Sequence, residues 1–273
     1  MKSLAYILSF ILCLASCTRH SKEWEKLQDV ETYIVTNADS ALVTLQNIQP
    51  EKLANKEEKA KHALLLSMAM DKNYIDRTDF EVLQPAIDYY QDHGTANDKL
   101  RTYYYQGRIY QNKGDKDLSM RAFINGKELK DEITDTLTYA NLLVAQGTYL
   151  YSSYKIKDFI ENNLQAAQLY QAIDRPYHQM RSLVNILNGS ITNQDKQMAD
   201  SIMTRCKISI KEHPDYGSLM LPYVISYTIT FGSDNEIKAV VNSVHNHKNL
   251  SNGAKLNIAY GYSKIGENEK ALQ

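Results

Sequence analysis

Apolar residues recur every three to four positions along most of the chain, which is the pattern of amphipathic α-helices. The clearest case is 100–131, where two such stripes are separated by a turn at Gly114. Another break, a cluster of turn-forming residues, surrounds Pro214. Few stretches alternate apolar and polar residues as a half-buried strand does. The pattern predicts an all-α fold of helices joined in pairs by short connections.

Within 100–131, small and aromatic residues occupy regularly spaced positions. Counted from Leu100, small residues are eighth, twentieth and twenty-seventh, and aromatic residues are eleventh and twenty-fourth. In chain order these residues are Gly107, Tyr110, Ser119, Phe123 and Gly126. The segment resembles the tetratricopeptide repeat, in which small residues let two helices approach and aromatic residues fill the space beside them. The resemblance implies an α-solenoid of helix-turn-helix repeats wound into a right-handed superhelix.

Other segments follow the same pattern less closely. A frame starting at Asn252 fits it well, and 141–172 fits it loosely, so that six or seven helical pairs cover the chain. Frames at 100 and 141 are further apart than the roughly 34 residues of that repeat, which we interpret as loop insertions. A non-repetitive helical bundle is the alternative. Because Gln273 falls early in a second helix, we expect the last repeat to be truncated.

The first residues predict export and lipidation. Lys2 precedes an apolar run over 4–14, which is too short to span a bilayer and has the length of a signal-peptide core. The small residues Ala15 and Ser16 then precede Cys17, and this order resembles the lipobox of bacterial lipoproteins. The resemblance implies a signal peptide over 1–16, a lipidated Cys17 with a tether over 17–22, and a repeat domain over 23–273. Thr18, in place of aspartate, implies an outer-membrane lipoprotein facing the periplasm.

Composition narrows the possible partners. The formal net charge is −1, and removing Lys2 with the signal peptide leaves −2. A nearly neutral chain without a basic stripe does not predict a nucleic-acid partner. No second apolar run reaches the length of a membrane span. After processing, Cys206 is the one cysteine left besides Cys17, and its apolar neighbours predict a buried side chain.

The sequence gives no sign of catalysis. It contains no glycine-rich phosphate loop, no nucleophile-elbow motif and no CxxC pair. His245 and His247 would diverge on a helix, and no cysteine or paired carboxylate completes a metal site beside them. We therefore expect no catalytic residue, no bound metal and no cofactor, and we expect that the protein is not an enzyme.

The best candidate binding surface follows from the repeat resemblance, which implies that first helices line a concave groove. In the clearest repeat the groove positions are Arg101, Tyr104, Arg108 and Gln111. Two arginines and a tyrosine on one helix face could bind a carboxylate or an acidic peptide. The alternative is a solvated outer face. Tyr103 is expected in the core, as is Tyr110.

These features favour a membrane-anchored lipoprotein whose repeat array serves as a protein-protein interaction scaffold. Its partner would be a protein or peptide, with the membrane engaged through the lipid anchor. One alternative is the sensory or regulatory input region of a longer signalling or transcriptional protein. Another is a nutrient- or glycan-binding lipoprotein.

Overall fold

The computed structural model describes residues 20–244 and 252–272. Cys17, Thr18, His245 and His247 lie outside these ranges. The described residues form an all-α fold without strands, in which helices pack against their neighbours in chain order, as in an α-solenoid of helical repeats. The fold class predicted from the apolar periodicity is therefore confirmed at this level. The chain divides into two compact units, 1–132 and 133–273.

Unit 1 contains three helical pairs within its described part. The helices are α1 (Lys22–Tyr33), α2 (Ala38–Gln46), α3 (Lys56–Lys72), α4 (Gln84–His93), α5 (Ala96–Lys113) and α6 (Lys116–Glu128). Each helix packs against the next, and the first helices also pack together, α1 on α3 and α3 on α5. Fully buried side chains at its centre include Leu27, Leu45, Leu100 and Phe123.

Unit 2 continues with the same kind of packing. Its helices within the described ranges are α7 (Thr136–Ser152), α8 (Ile156–Ala172), α9 (Pro176–Thr192), α10 (Lys196–Glu212), α11 (Gly217–Phe231), α12 (Asp234–Val244), α13 (Asn252–Lys264) and α14 (Asn268–Ala271). One apolar cluster is centred on Met180 and Ile186, and another on Ile225 and Tyr262.

Helix starts are fixed by side-chain caps. Thr95 and Asp98 form a capping box at the start of α5. The backbone N–H of Thr95 donates to the Asp98 carboxylate, and the backbone N–H of Asp98 donates to the Thr95 hydroxyl. Asp115 and Asp195 cap α6 and α10 by accepting a hydrogen bond from a backbone N–H three residues ahead. Such caps satisfy the free N–H groups of the first turn, so the helices begin where the sequence places these short polar residues.

A recurrent turn reveals the repeat length. Tyr74, Gly114, Tyr154 and Gln194 each lie between the two helices of a pair, have positive φ angles and follow one another in steps of forty residues. Asp174, which lies between two pairs, has a positive φ as well. In each turn the following residue donates its N–H to a carbonyl five residues earlier, at 2.9 Å. Forty residues exceed the roughly 34 of the tetratricopeptide repeat. Between the frames at 100 and 141, α6 ends at Glu128 and α7 begins at Thr136, so a seven-residue connection separates them. Within unit 2, by contrast, the second helix α8 is itself 17 residues long.

Candidate functional site

The predicted groove residues all lie on α5. Arg101 and Arg108 are seven positions apart and share one side of this helix. That side is packed against α3, which in turn packs against α1. Charged side chains from α1 and α3 meet the two arginines there. We call the set Glu31, Lys61, Asp71, Arg101 and Arg108 the charged face.

Glu31 joins three successive first helices. Its Oε1 accepts a hydrogen bond from Arg101 Nη1 at 2.5 Å, and its Oε2 accepts one from Lys61 Nζ, also at 2.5 Å. Burial by itself would raise the pKa of Glu31, but Lys61 and Arg101 outweigh it and hold that pKa below its usual value. The carboxylate is 32% exposed, so this ion-pair triad remains accessible to solvent.

Arg108 forms a second set of contacts. Its Nε donates to Asp71 Oδ1 at 3.0 Å and its Nη1 donates to Gln111 Oε1 at 2.6 Å. Burial opposes the charged form, but Asp71 holds the pKa of Arg108 above its usual value. The structure thus brings Arg108 and Gln111 together, and gives each predicted arginine a carboxylate partner from a neighbouring helix.

Tyr104 differs from the sequence-based expectation. It is 8% exposed, and its ring contacts Tyr105 with a centroid distance of 4.9 Å. Tyr103 is only half-buried, although it was expected in the core. Leu100, Tyr104 and Gly107 follow a four-three spacing, so all three lie on the buried stripe of α5. Tyr104 is therefore a packing residue rather than an open stacking surface, and that expectation is corrected.

Tyr110 is also half-buried rather than fully enclosed. Its ring meets Phe80 edge-on, with centroids 4.8 Å apart. Phe80 belongs to the connection between α3 and α4, which folds back onto α5. The side-chain amide of Asn112 donates a hydrogen bond to the backbone carbonyl of Arg77 in this connection, at 3.2 Å. The connection is thereby fixed beside the charged face.

Sequence reasoning did not find the acidic members of the charged face. Glu31 and Asp71 lie 70 and 37 residues from the arginines that they bind. No spacing rule joins residues so far apart, because only tertiary packing brings their helices together. The (i, i+7) spacing of Arg101 and Arg108 was the one signal that the sequence offered.

A second polar cluster, also missed, fixes the start of α1. Glu58 is fully buried and accepts hydrogen bonds from the backbone N–H and the hydroxyl of Ser21, at 2.7 and 2.6 Å, and from Ala54 N–H at 2.8 Å. His20 lies 3.4 Å from the same carboxylate and stacks on Trp24 with ring centroids 4.1 Å apart. Ordered structure therefore reaches back to the residues just after the predicted anchor.

The remaining predictions concern metal binding, the burial of Cys206 and membrane-spanning helices. Within residues 20–244 and 252–272, no three His, Cys, Asp or Glu side chains group closely enough to hold a metal ion. None of the helices in that part of the chain combines the length and apolarity that crossing a membrane requires. Cys206 is completely buried, as its neighbours predicted, and burial raises the pKa of its thiol to about 12.

Comparison with protein-family models gives no match, and comparison with curated proteins gives none either. What can be inferred about function comes from the residues of this chain.

Proposed function

We propose that the protein is a membrane-anchored lipoprotein whose helical array serves as a protein-protein interaction scaffold. The observation that carries this proposal is the charged face, in which five half-buried charged side chains from α1, α3 and α5 are held side by side. Charged groups on three successive first helices can contact a partner at several points at once.

The two arginines favour an acidic segment as the partner. The charged face holds three cations and two carboxylates, and Asp76 also acts on Arg108, so the arginine donors and not a net charge carry this preference. The side chains of the pairs at Glu31 are 16–32% exposed, so a partner can reach them from the solvent. A carboxylate of the partner can therefore replace Glu31 at Arg101, which exchanges one ion pair for another. Arginine presents a planar fork of donors that suits such an exchange.

The anchor is the second part of the proposal. Only Thr18 and Arg19 stand between Cys17 and His20, and Ser21 is already bonded to Glu58. A lipid on Cys17 would hold the α1 end of unit 1 close to the membrane. Metabolic labelling with palmitate tests this directly: the label is expected in the native protein and absent from Cys17→Ala. Equal labelling of both proteins would refute the anchor.

The scaffold is tested by site-specific photo-cross-linking in membranes. A photoreactive residue at Gln111, beside Arg108, is expected to capture a partner. Arg101→Ala combined with Arg108→Ala should reduce that capture, whereas Glu31→Gln should increase it because Arg101 loses its internal partner. Lys196→Ala, an exposed ion-pair residue of unit 2, is the matched control. Cross-linking that is unchanged by the arginine and glutamate variants would exclude the charged face as the binding surface.

A further inference from the structure

A cavity of about 170 Å³ lies within unit 1, among α4, α5 and α6. Its walls include two aromatic side chains, three side-chain amides and one ammonium group: Tyr90, Tyr103, Gln91, Gln106, Asn125 and Lys99. Gln91 is exposed, so the cavity reaches the surface. It lies on the opposite side of α5 from Arg101 and Arg108, because Tyr103 and Gln106 are turned roughly 140–200° from them on the helix. The cavity is therefore separate from the charged face.

Most polar side chains of this cavity are unused by the fold, although Thr102, which also lines it, donates a hydrogen bond to the carbonyl of Asp98 at 2.7 Å. Within the described part of the chain, the side chains of Gln91, Tyr103, Gln106 and Asn125 make no hydrogen bond to protein, and Lys99 makes no ion pair. Each side-chain amide has an NH₂ group that donates hydrogen bonds and a carbonyl oxygen that accepts them, and a phenol hydroxyl can donate and accept. Hydrogen-bonding groups of both kinds converge on one space without partners from the chain.

The size of the cavity restricts the ligand. A cavity of roughly 150 Å³ holds one benzene molecule, and drug-sized ligands occupy about 300–1,000 Å³. The space here corresponds to one bare six-membered ring, and the opening at Gln91 lets the substituents of such a ring extend out of the cavity. Tyr90 is 5% exposed and, with Ile87, supplies an apolar wall on which the C–H groups of such a ring can pack.

Amides that donate and accept complement hydroxyl groups, which also do both. A purely apolar ring would leave these amides without partners, which is unfavourable. The cation Lys99 adds a preference for a carboxylate on the ring. We propose that this cavity binds a single polyhydroxylated six-membered ring, a hexose or, more tightly, a hexuronate. This proposal is independent of the interaction scaffold on the charged face.

Saturation-transfer NMR on the full-length chain tests the proposal, with glucose, glucuronate and cyclohexanol as separate probes. The detergent must lack a sugar head group, since such a group would compete for the site. Saturation transfer is expected to both sugars and not to cyclohexanol. Transfer to cyclohexanol alone, or to none of the three at millimolar concentration, would overturn the proposal.

Variants then locate the binding. Gln106→Met combined with Asn125→Leu should weaken both sugars about tenfold, the loss expected for two neutral hydrogen bonds. Lys99→Ala should weaken glucuronate and leave glucose unchanged. Gln171→Met, on the exposed surface of unit 2, is the matched control and should bind as the native protein does.

Tyr103→Phe removes only a hydroxyl, so it keeps the test valid if the double variant is poorly folded. It should weaken glucose about threefold to tenfold. Sugar affinities that stay the same in Tyr103→Phe and in a folded double variant would place the binding elsewhere and refute the proposed site.

Discussion

Ser21 and Glu58 are bound to each other through two hydrogen bonds, although 37 residues separate them in the chain. The backbone N–H and the hydroxyl of Ser21 each donate to one oxygen of this fully buried carboxylate. Ser21 also caps α1 through Glu23 N–H. The entry of the chain into α1 is thus fixed on the first turn of α3, next to the predicted lipid anchor.

Replacing this carboxylate is expected to destabilise unit 1. In Glu58→Gln, an amide nitrogen faces N–H donors, so at least one buried donor loses its acceptor. The expected loss in the free energy of unfolding is about 1–3 kcal/mol. Urea unfolding followed by the fluorescence of Trp24, the one tryptophan, measures it. Glu51→Gln, at an exposed position nearby, is the control and should unfold like the native protein.

The same carboxylate makes stability depend on pH. Burial alone would raise the pKa of Glu58, but hydrogen bonds from Ser21 and Ala54 outweigh it and leave that pKa below 4.5. A lowered folded-state pKa means that its stabilisation is complete above about pH 4.5 and is lost as pH falls through the lowered value. Urea midpoints of the native protein should drop between about pH 6 and pH 3 more than those of Glu58→Gln. Parallel curves would contradict the prediction.

The helices α5 and α6 approach each other closely at Gly107. A Cβ atom at this residue would lie 2.3 Å from Cε1 of Phe123, and Ser119 donates to the Gly107 carbonyl at 2.8 Å. Gly107→Ala should therefore destabilise the protein by about 1–3 kcal/mol, measured by thermal or urea unfolding. Gly253→Ala is the contrast, since no atom of the residues that the structure describes lies within 4 Å of the added methyl group. It should be neutral or slightly stabilising.

Tyr154 is held in a left-handed conformation, with φ of 58°, and its side chain is 86% exposed. A left-handed backbone costs a residue with a Cβ atom about 1–2 kcal/mol, and glycine avoids that cost. Tyr154→Gly should raise the free energy of unfolding by roughly 0.5–1 kcal/mol, because the entropy of an unfolded glycine offsets part of the gain. Tyr154→Ala, which keeps the Cβ atom, should bring no such increase. A Gly variant less stable than the Ala variant would disprove this account.

The turns show how far local sequence could be interpreted. Gly114 predicted its turn correctly, because glycine is favoured where φ is positive, and α5 does end at Lys113. Tyr74, Tyr154 and Gln194 adopt the same conformation without any residue that favours it. The sequence frames at 100 and 141 indicated one spacing near forty residues, and the backbone angles showed that this spacing recurs.

The sequence by itself determined the helices, because apolar spacing and short polar caps act within a few residues of one another. It also placed Arg101 and Arg108 on one side of α5 through their seven-residue spacing. Only the tertiary structure decided that Glu31 and Asp71 pair with these arginines, and that Tyr104 is buried. The physical reason is that contacts between helices depend on packing across tens of residues, about which helical periodicity carries no information.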